Sequence, residues 1–272
     1  MLLKRPASER PESLRKLQVM ARMPVQVVSV SGMSRRSSDL NCGGQPCRPG
    51  KSTLARLLVR GADPDSGRIL LEKRLLTGYA LRSLRSAVCY VPQQPVLFQG
   101  TIRENLLYAN ARATYKEMIR ALQAAQLASV LSRLPHGLDA SLGPGAINLS
   151  GGERQRLAVA RSLLRESAAI VLDEATSALD VPTERAVLRS VAEFHTHQTI
   201  IVISHRIRSL AWVDRFVLLD QGRIVATGTH SVLYAQSALY RALFDAPVQD
   251  MIMPLKSERE DQVNDRASAE GE

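Results

Sequence analysis

Two adjacent carboxylates follow a wholly apolar run in the middle of the chain. The run AIVL at 169–172 leads directly into Asp173 and Glu174, and such runs are typical of strands that are buried on both faces of a parallel sheet. The ends of these strands form the edge at which α/β folds bind ligands. One carboxylate there is suited to holding Mg²⁺ near a phosphate while its neighbour orients a water molecule. Alternatively, the same pair of residues forms the N-cap of a helix.

A histidine follows a second apolar run in the same way. IIVI at 200–203 is followed by Ser204 and His205. An imidazole at a strand end is well placed to act on a ligand at the sheet edge. A single histidine also fits a purely structural role, so both interpretations remain open.

A third stretch, SGGE at 150–153, has the composition of an anion-binding helix start. Ser150 and Glu153 have the spacing of a capping box, and Gly151 and Gly152 allow a ligand to approach the backbone closely. The free amides and the positive end of the helix dipole favour an anion. A capped helix with no ligand is the alternative.

The tetrapeptide Gly50-Lys51-Ser52-Thr53 precedes a helical pattern and resembles the end of the phosphate-binding motif G-x-x-x-x-G-K-[ST]. In that motif the lysine reaches the β- and γ-phosphate oxygens, the hydroxyl binds Mg²⁺, and backbone amides surround the phosphates. The residues before Gly50 depart from the motif.

The first glycine of the motif should be residue 45, which is Gln45. Pro46 and Pro49 lack an N–H group, so a cradle that is built from backbone amides loses donors here. The residues upstream of the loop, RRSSDLNCG, are neither apolar nor strand-like, and no aromatic residue precedes Tyr79. We therefore expect an atypical loop, a shortened N-terminal region and weak ATP affinity.

Alternating strand and helix patterns indicate an α/β fold class that positions these residues. The pattern predicts a basic segment at 1–24, one domain at 25–245 with a mainly helical part at about 100–165, and an acidic, disordered tail at 246–272. Within the domain, strands are predicted at 25–30, 68–72, 87–92, 169–172 and 200–203, with a hairpin at 216–226. Helices are predicted at 52–60 and 150–165, and residues 101–134 are mostly helical by pattern.

The net charge of +10 comes mostly from the first sixty residues, which hold twelve Lys and Arg against three Asp and Glu. That segment has no aromatic side chain on which bases could stack, so nucleic acid is not expected as a partner. A solvated basic segment is the preferred interpretation, with attraction to anionic lipid as an alternative. No apolar run approaches the length of a membrane helix, which is roughly 18–20 residues.

The order of the motifs resembles the nucleotide-binding domain of ATP-binding cassette (ABC) transporters over about residues 50–245. The resemblance rests on five stretches. They are GKSTL at 50–54, YVPQQPVLFQGTIRENL at 90–106, LSGGERQRLAVARSLL at 149–164, IVLDEATSALD at 170–180 and IIVISHR at 200–206. It implies a P-loop NTPase core of ABC type with a helical subdomain.

The resemblance also implies roles for the residues that bind nucleotide and metal. Lys51 and Ser52 match the Walker A motif, which Gly50 and Thr53 flank. Gln93 matches the glutamine of the Q-loop, which contacts Mg²⁺ and the attacking water. Asp173 matches the Walker B carboxylate at the metal, so the implied metal-site residues are Ser52, Gln93 and Asp173.

The remaining roles concern hydrolysis and the dimer. Glu174 matches the catalytic base, and His205 matches the switch histidine near the γ-phosphate. Residues 149–153 match the signature motif, with Glu153 where glutamine is commoner, and residues 177–180 match the D-loop. ATP then lies in a head-to-tail dimer between the Lys51 loop of one chain and the Ser150 helix of the other.

Partners and location follow from the same resemblance. It implies a second nucleotide-binding domain and a transmembrane domain, and a location at the cytoplasmic face of a membrane. GTIRENL at 100–106 and the stretch 228–244 are similar to the exporter branch. Residues 143–146, however, read GPGA where exporters often carry a Glu-Arg-Gly-like stretch. The alternatives are a degenerate, non-catalytic ABC subunit or relic, and a soluble ABC protein that acts on ribosomes or DNA.

Overall fold

The structure, a computed structural model, describes residues 26–30, 51–64, 67–71, 74–194, 198–220 and 223–246. For residues 26–30, 51, 52 and 70 it describes the backbone alone. Within these ranges, no helix combines the length and the apolar composition needed to cross a bilayer.

The strands alternate with helices, as the pattern predicts. The strands are β1 (Gln26–Val30), β2 (Leu70–Leu71), β3 (Arg74–Leu75), β4 (Val88–Val91), β5 (Gly100–Thr101), β6 (Ser141–Leu142), β7 (Ala169–Asp173), β8 (Thr199–Ser204), β9 (Arg215–Asp220) and β10 (Arg223–Gly228). The helices are α1 (Lys51–Leu58), α2 (Leu81–Ala87), α3 (Ile102–Leu107), α4 (Tyr115–Ala124), α5 (Ala128–Arg133), α6 (Gly151–Leu163), α7 (Val181–Phe194), α8 (His230–Gln236) and α9 (Ala238–Asp245).

The main sheet has the order β10-β9-β1-β8-β7-β4 among the described strands. All neighbours are parallel except β9 and β10, which form the predicted hairpin, with a bulge between Ile224 and Ala226. In β7 and β8 the apolar runs are largely buried, which fits strands that are covered on both faces. Their register pairs Asp173 with Ile203, so both strands end at the same edge.

Strand β1 occupies a central place in this sheet. Val28 pairs with Ile203 of β8 on one side and with Val217 of β9 on the other. The strand predicted at 25–30 is thus confirmed, and it lies inside the sheet. The β-branched residues of QVVSV suit an internal strand, and the sheet uses them although residues 31–50, which lie outside the described residues, separate β1 from α1.

Helices cover both faces of the sheet. On one face, Ala55 of α1 is fully buried and packs with Val171, Ile203 and Leu219. On the other face, α6 contacts β4 and also α4 in the helical region between residues 100 and 165. Helix α6 therefore joins the sheet to that region, which includes α3 to α5 and the short β5–β6 pair.

Candidate functional site

Asp173 is the last residue of β7 and lies at the carboxyl edge of the sheet. It is 3% exposed, and its Oδ2 accepts a hydrogen bond of 2.8 Å from the Tyr90 hydroxyl of the neighbouring strand β4. Burial raises the pKa of Tyr90, and the Asp173 carboxylate adds to that rise. Tyr90 thus stays protonated as the donor that orients this carboxylate.

The side chain of Asp173 shares a face of the sheet with α1. Side chains two apart on a strand point the same way, so Asp173 lies on the face of Val171, which packs with Ala55 of α1. Tyr90 packs against the same cluster. This arrangement places a buried carboxylate on the side where the helix that begins at Lys51 lies.

Glu174 follows β7 in a left-handed backbone conformation, with φ of 49°. A non-glycine residue in that region is uncommon and costs conformational energy. Its N–H donates a 2.9 Å hydrogen bond to the carbonyl of Ile203 in β8. The bond fixes the chain at the point where the two strands end.

His205 lies beside Glu174 at this edge. Its Nδ1 is 3.5 Å from Glu174 Oε1, a separation that is too long for a strong hydrogen bond. Nδ1 is buried without a hydrogen-bond partner, whereas the side chains as a whole remain 28% exposed for His205 and 15% for Glu174. The two apolar runs thus bring an acid and an imidazole together where solvent and a ligand can reach them.

The predicted capping box at the start of α6 is present. Glu153 Oε2 accepts from the Ser150 N–H at 2.7 Å, and the Ser150 hydroxyl accepts from the Glu153 N–H at 3.2 Å. Arg133, the last residue of α5, contacts Glu153 Oε1 at 2.5 Å. Burial acts to raise the pKa of Glu153, but the hydrogen bonds from Ser150 and Arg133 outweigh it and lower that pKa.

The two glycines of this motif have different surroundings. A Cβ atom at Gly152 would lie 2.9 Å from Leu179 Cδ2 and 3.3 Å from the Ala178 carbonyl oxygen, so the glycine lets α6 pack closely against residues 178 and 179. A Cβ at Gly151 would meet nothing closer than 3.9 Å. The backbone at Gly151 is therefore open to close approach, while Gly152 is needed for the packing of the chain itself.

Gln155 links three segments of the site, and the sequence reasoning did not identify it. Its Nε2 donates to the Gln93 carbonyl at 2.9 Å and to Ser177 Oγ at 3.2 Å, and its Oε1 accepts from the Ala178 N–H at 2.9 Å. It is 6% exposed. Its spacing could have identified it. Gln155 lies three positions before Ala158 and four before Val159, which places this polar residue on the apolar face of the helix.

Glu184 forms a second buried link. Its carboxylate accepts from the Thr176 hydroxyl at 2.7 Å and the Ser209 hydroxyl at 3.2 Å, and lies 3.8 Å from Arg206 Nη1. The same Arg206 atom donates to the Leu179 carbonyl at 2.6 Å. Burial raises the pKa of Glu184, against the lowering effect of these donors. The network connects the segment after Glu174 to the segment after His205.

Other predicted site residues are only partly described. Helix α1 begins at Lys51 and Thr53 is exposed, while Gly50 and the side chains of Lys51 and Ser52 lie outside the described residues. Gln93 is exposed and contributes its carbonyl group to the contact with Gln155. Among the described residues no three His, Cys, Asp or Glu side chains cluster as a metal site. The predicted metal set does not require such a cluster, since Asp173 is its only carboxylate.

Comparisons with known proteins show what the chain is similar to. Residues 48–177 match the family model described as "ABC transporter". The chain is 41% identical over 216 residues to the mitochondrial iron-sulfur clusters transporter ATM1 of Saccharomyces cerevisiae, covering 78% of this chain and 31% of that protein. It is 41% identical over 201 residues to the ATP-dependent lipid A-core flippase of Cupriavidus pinatubonensis, covering 73% and 34%.

Among solved structures, a bacterial Atm1-family ABC exporter with ATP bound matches with a TM-score of 0.71 and 37% identity. The match covers 81% of this chain and 36% of the exporter. The chain therefore spans about a third of the length of the relatives that it matches. The motifs and these matches agree: the chain carries the ATP-binding domain of the ABC transporter family.

Proposed function

We propose that this chain binds and hydrolyses ATP and thereby drives export through a transmembrane partner, at the cytoplasmic face of a membrane. One observation carries the proposal. The two strand ends bring Glu174 Oε1 within 3.5 Å of His205 Nδ1, beside the buried carboxylate of Asp173. This is an acid, an imidazole and a potential metal ligand at the edge where α/β sheets bind ligands.

Ser52, Gln93 and Asp173 would hold Mg²⁺, with ATP bound by Gly50, Lys51, Ser52 and Thr53. The shared face of Asp173 and α1 supports this set, since it places the carboxylate toward the helix that carries Ser52. The oxygen donors in it suit a hard cation. When bound, Mg²⁺ supplies positive charge to the phosphate oxygens.

Hydrolysis relies on groups with separate tasks. Glu174 orients a water molecule for in-line attack and accepts its proton, as a carboxylate at the site edge is able to do. His205 and Lys51 stabilise the negative charge that develops on the phosphate oxygens. The buried donor Tyr90 keeps Asp173 oriented.

The site is completed by a second nucleotide-binding domain in a head-to-tail dimer. Ser150, Gly151, Gly152 and Glu153 of one chain face the nucleotide held by the other, and the open surroundings of Gly151 support that approach. Residues 177–180 reach across the interface. The printed names of the relatives agree on transport and differ in what is moved, so we propose export without assigning a substrate.

Phosphate release from Mg-ATP by the full chain tests the proposal. Vanadate-sensitive release is expected, and its absence at saturating nucleotide would contradict a catalytic role. A second candidate is a non-catalytic subunit that completes the partner's site through its Ser150 helix. Pro46 and Pro49, which cannot donate backbone hydrogen bonds, favour that candidate. Vanadate-sensitive release that disappears in Glu174→Gln would favour the enzyme over this candidate. Ordinary micromolar affinity for Mg-ATP in isothermal titration would refute a damaged loop.

A further inference from the structure

An ion pair joins the helical region to the start of α6. Arg133 Nη2 lies 2.5 Å from Glu153 Oε1, and the two residues are twenty positions apart in sequence. The Glu153 side chain is 10% exposed, whereas that of Arg133 is 65% exposed. A shielded carboxylate thus meets a cation that solvent still reaches.

Glu153 is anionic at neutral pH. Both of its carboxylate oxygens are engaged, Oε1 by Arg133 and Oε2 by the Ser150 N–H. These donors favour the charged form of the carboxyl group. The first turn of α6 therefore carries a fixed negative charge next to the helix end that the proposed function assigns to the ATP phosphates.

A carboxylate at this place has two opposite effects. It stabilises the helix, because it complements the positive end of the helix dipole. It also repels a polyanion that approaches the same amides. A glutamine, which is commoner at this position, would cap the helix without the repulsion.

We propose that Arg133 is a positioning residue that compensates the charge of Glu153, so that the start of α6 accepts the phosphates of the ATP held by the partner domain. The inference rests on the proposed function. Arg133 acts through Glu153, and its own contact with nucleotide is not required. Because solvent reaches Arg133, a change at this residue disturbs folding less than a change at the shielded Glu153.

The test is the Mg-ATP concentration that gives half-maximal dimer, measured for the full chain by analytical ultracentrifugation. Arg133→Met should raise this concentration by about tenfold, the order expected for one uncompensated charge near a polyanion. Glu153→Gln should lower this concentration below the wild-type value, because it removes the repulsive charge. Arg133→Met should have no further effect when it is combined with Glu153→Gln. Arg103→Met is the matched control, since Arg103 makes a comparable 2.7 Å ion pair with Asp139 in the same helical region.

Three outcomes would contradict the inference. Arg133→Met with an unchanged ATP requirement overturns charge compensation while leaving the proposed function intact. A double variant as weak as Arg133→Met shows that the arginine acts in some other way, such as direct contact. A wild-type chain whose association does not respond to Mg-ATP overturns the proposed dimer and this inference together. Thermal unfolding of each variant verifies that folding is unchanged.

Discussion

Glu174 combines limited exposure with a fixed backbone. Its side chain is 15% exposed, so water can reach the carboxylate. The N–H group bonds to Ile203 and His205 Nδ1 lies 3.5 Å away. A general base must hold its oxygen within hydrogen-bond reach of the proton that it takes, and this surrounding structure keeps the carboxylate at the strand end.

Glu174→Gln should lower the rate of ATP hydrolysis by about 100-fold or more, because the amide keeps the shape of the side chain but cannot accept the proton. Phosphate release at saturating Mg-ATP measures the effect. Titration with Mg-ATP should give an affinity close to that of the wild type. The control is Glu193→Gln, at an exposed position of α7, and equal rates for the two variants would argue against the role of Glu174.

Glu184 is a carboxyl group at which the effect of burial on the pKa outweighs that of its hydrogen-bond donors. Burial raises its pKa above the ordinary value of 4.5 despite the donors around it. A raised pKa means that the folded chain binds its proton more tightly than the unfolded chain does. The stabilisation from the protonated group is complete below the unfolded pKa and is lost as pH rises through the folded pKa.

Glu184→Gln should therefore flatten the pH dependence of stability. Between pH 4.5 and neutrality, the free energy of unfolding should fall less in the variant than in the wild type, since the amide does not titrate. Urea denaturation at a series of pH values gives the comparison, with Glu193→Gln as the exposed control. Parallel curves for the wild type and Glu184→Gln would show that the carboxyl group does not titrate as its burial implies.

At the scale of elements, α6 also connects two other segments of the proposed site. Through Gln155 it binds the carbonyl of Gln93 after β4 and two groups of residues 177 and 178 after β7. The three bonds are partly buried, and a polar group that loses its partner there is left unsatisfied. Movement of any one of these segments therefore affects the other two.

Gln155→Leu should lower the free energy of unfolding by roughly 2 kcal/mol, because the Gln93 carbonyl and the Ala178 N–H lose their partner. It should also lower ATP hydrolysis, since both connected loops belong to the proposed site. Chemical denaturation and phosphate release measure the two effects. Gln123→Leu, on the exposed face of α4, is the matched control, and equal behaviour of the two variants would exclude a linking role.

The local sequence pattern predicted the main helices and strands, but it did not predict the side-chain hydrogen bonds that connect them. The apolar runs before Asp173 and His205 predicted β7 and β8, and the Ser150–Glu153 spacing predicted the start of α6. The bonds of Gln155 and Tyr90 span 62 and 83 residues, and no local period encodes such pairs. Strands β5 and β6 have two residues each. An alternating apolar pattern cannot be recognised in so short a stretch.

At the scale of the whole molecule, the sheet depends on a strand that comes far ahead of its neighbours in sequence. Strand β1 lies between β8 and β9, whose residues follow it by more than 160 positions. Both of its edges are hydrogen-bonded. The run at 25–30 predicted a strand, but only the register shows that this strand joins the two halves of the sheet.

Val28→Pro should destabilise the chain by about 3 kcal/mol or more, because proline removes a backbone donor from inside a hydrogen-bonded element. Chemical denaturation measures the loss. Val225→Pro is the control, since residue 225 lies at the bulge of the edge strand β10, where proline is tolerated better. If Val28→Pro proved no more harmful than Val225→Pro, residues 26–30 would not form a central strand.

The left-handed backbone at Glu174 has an evolutionary consequence. Glycine adopts a φ of 49° without strain and asparagine does so more readily than glutamate. Selection for stability alone would therefore favour glycine or asparagine at position 174, whereas selection for turnover would retain the glutamate. In a lineage that no longer needs ATP hydrolysis, we therefore expect glycine or asparagine to replace the glutamate at position 174.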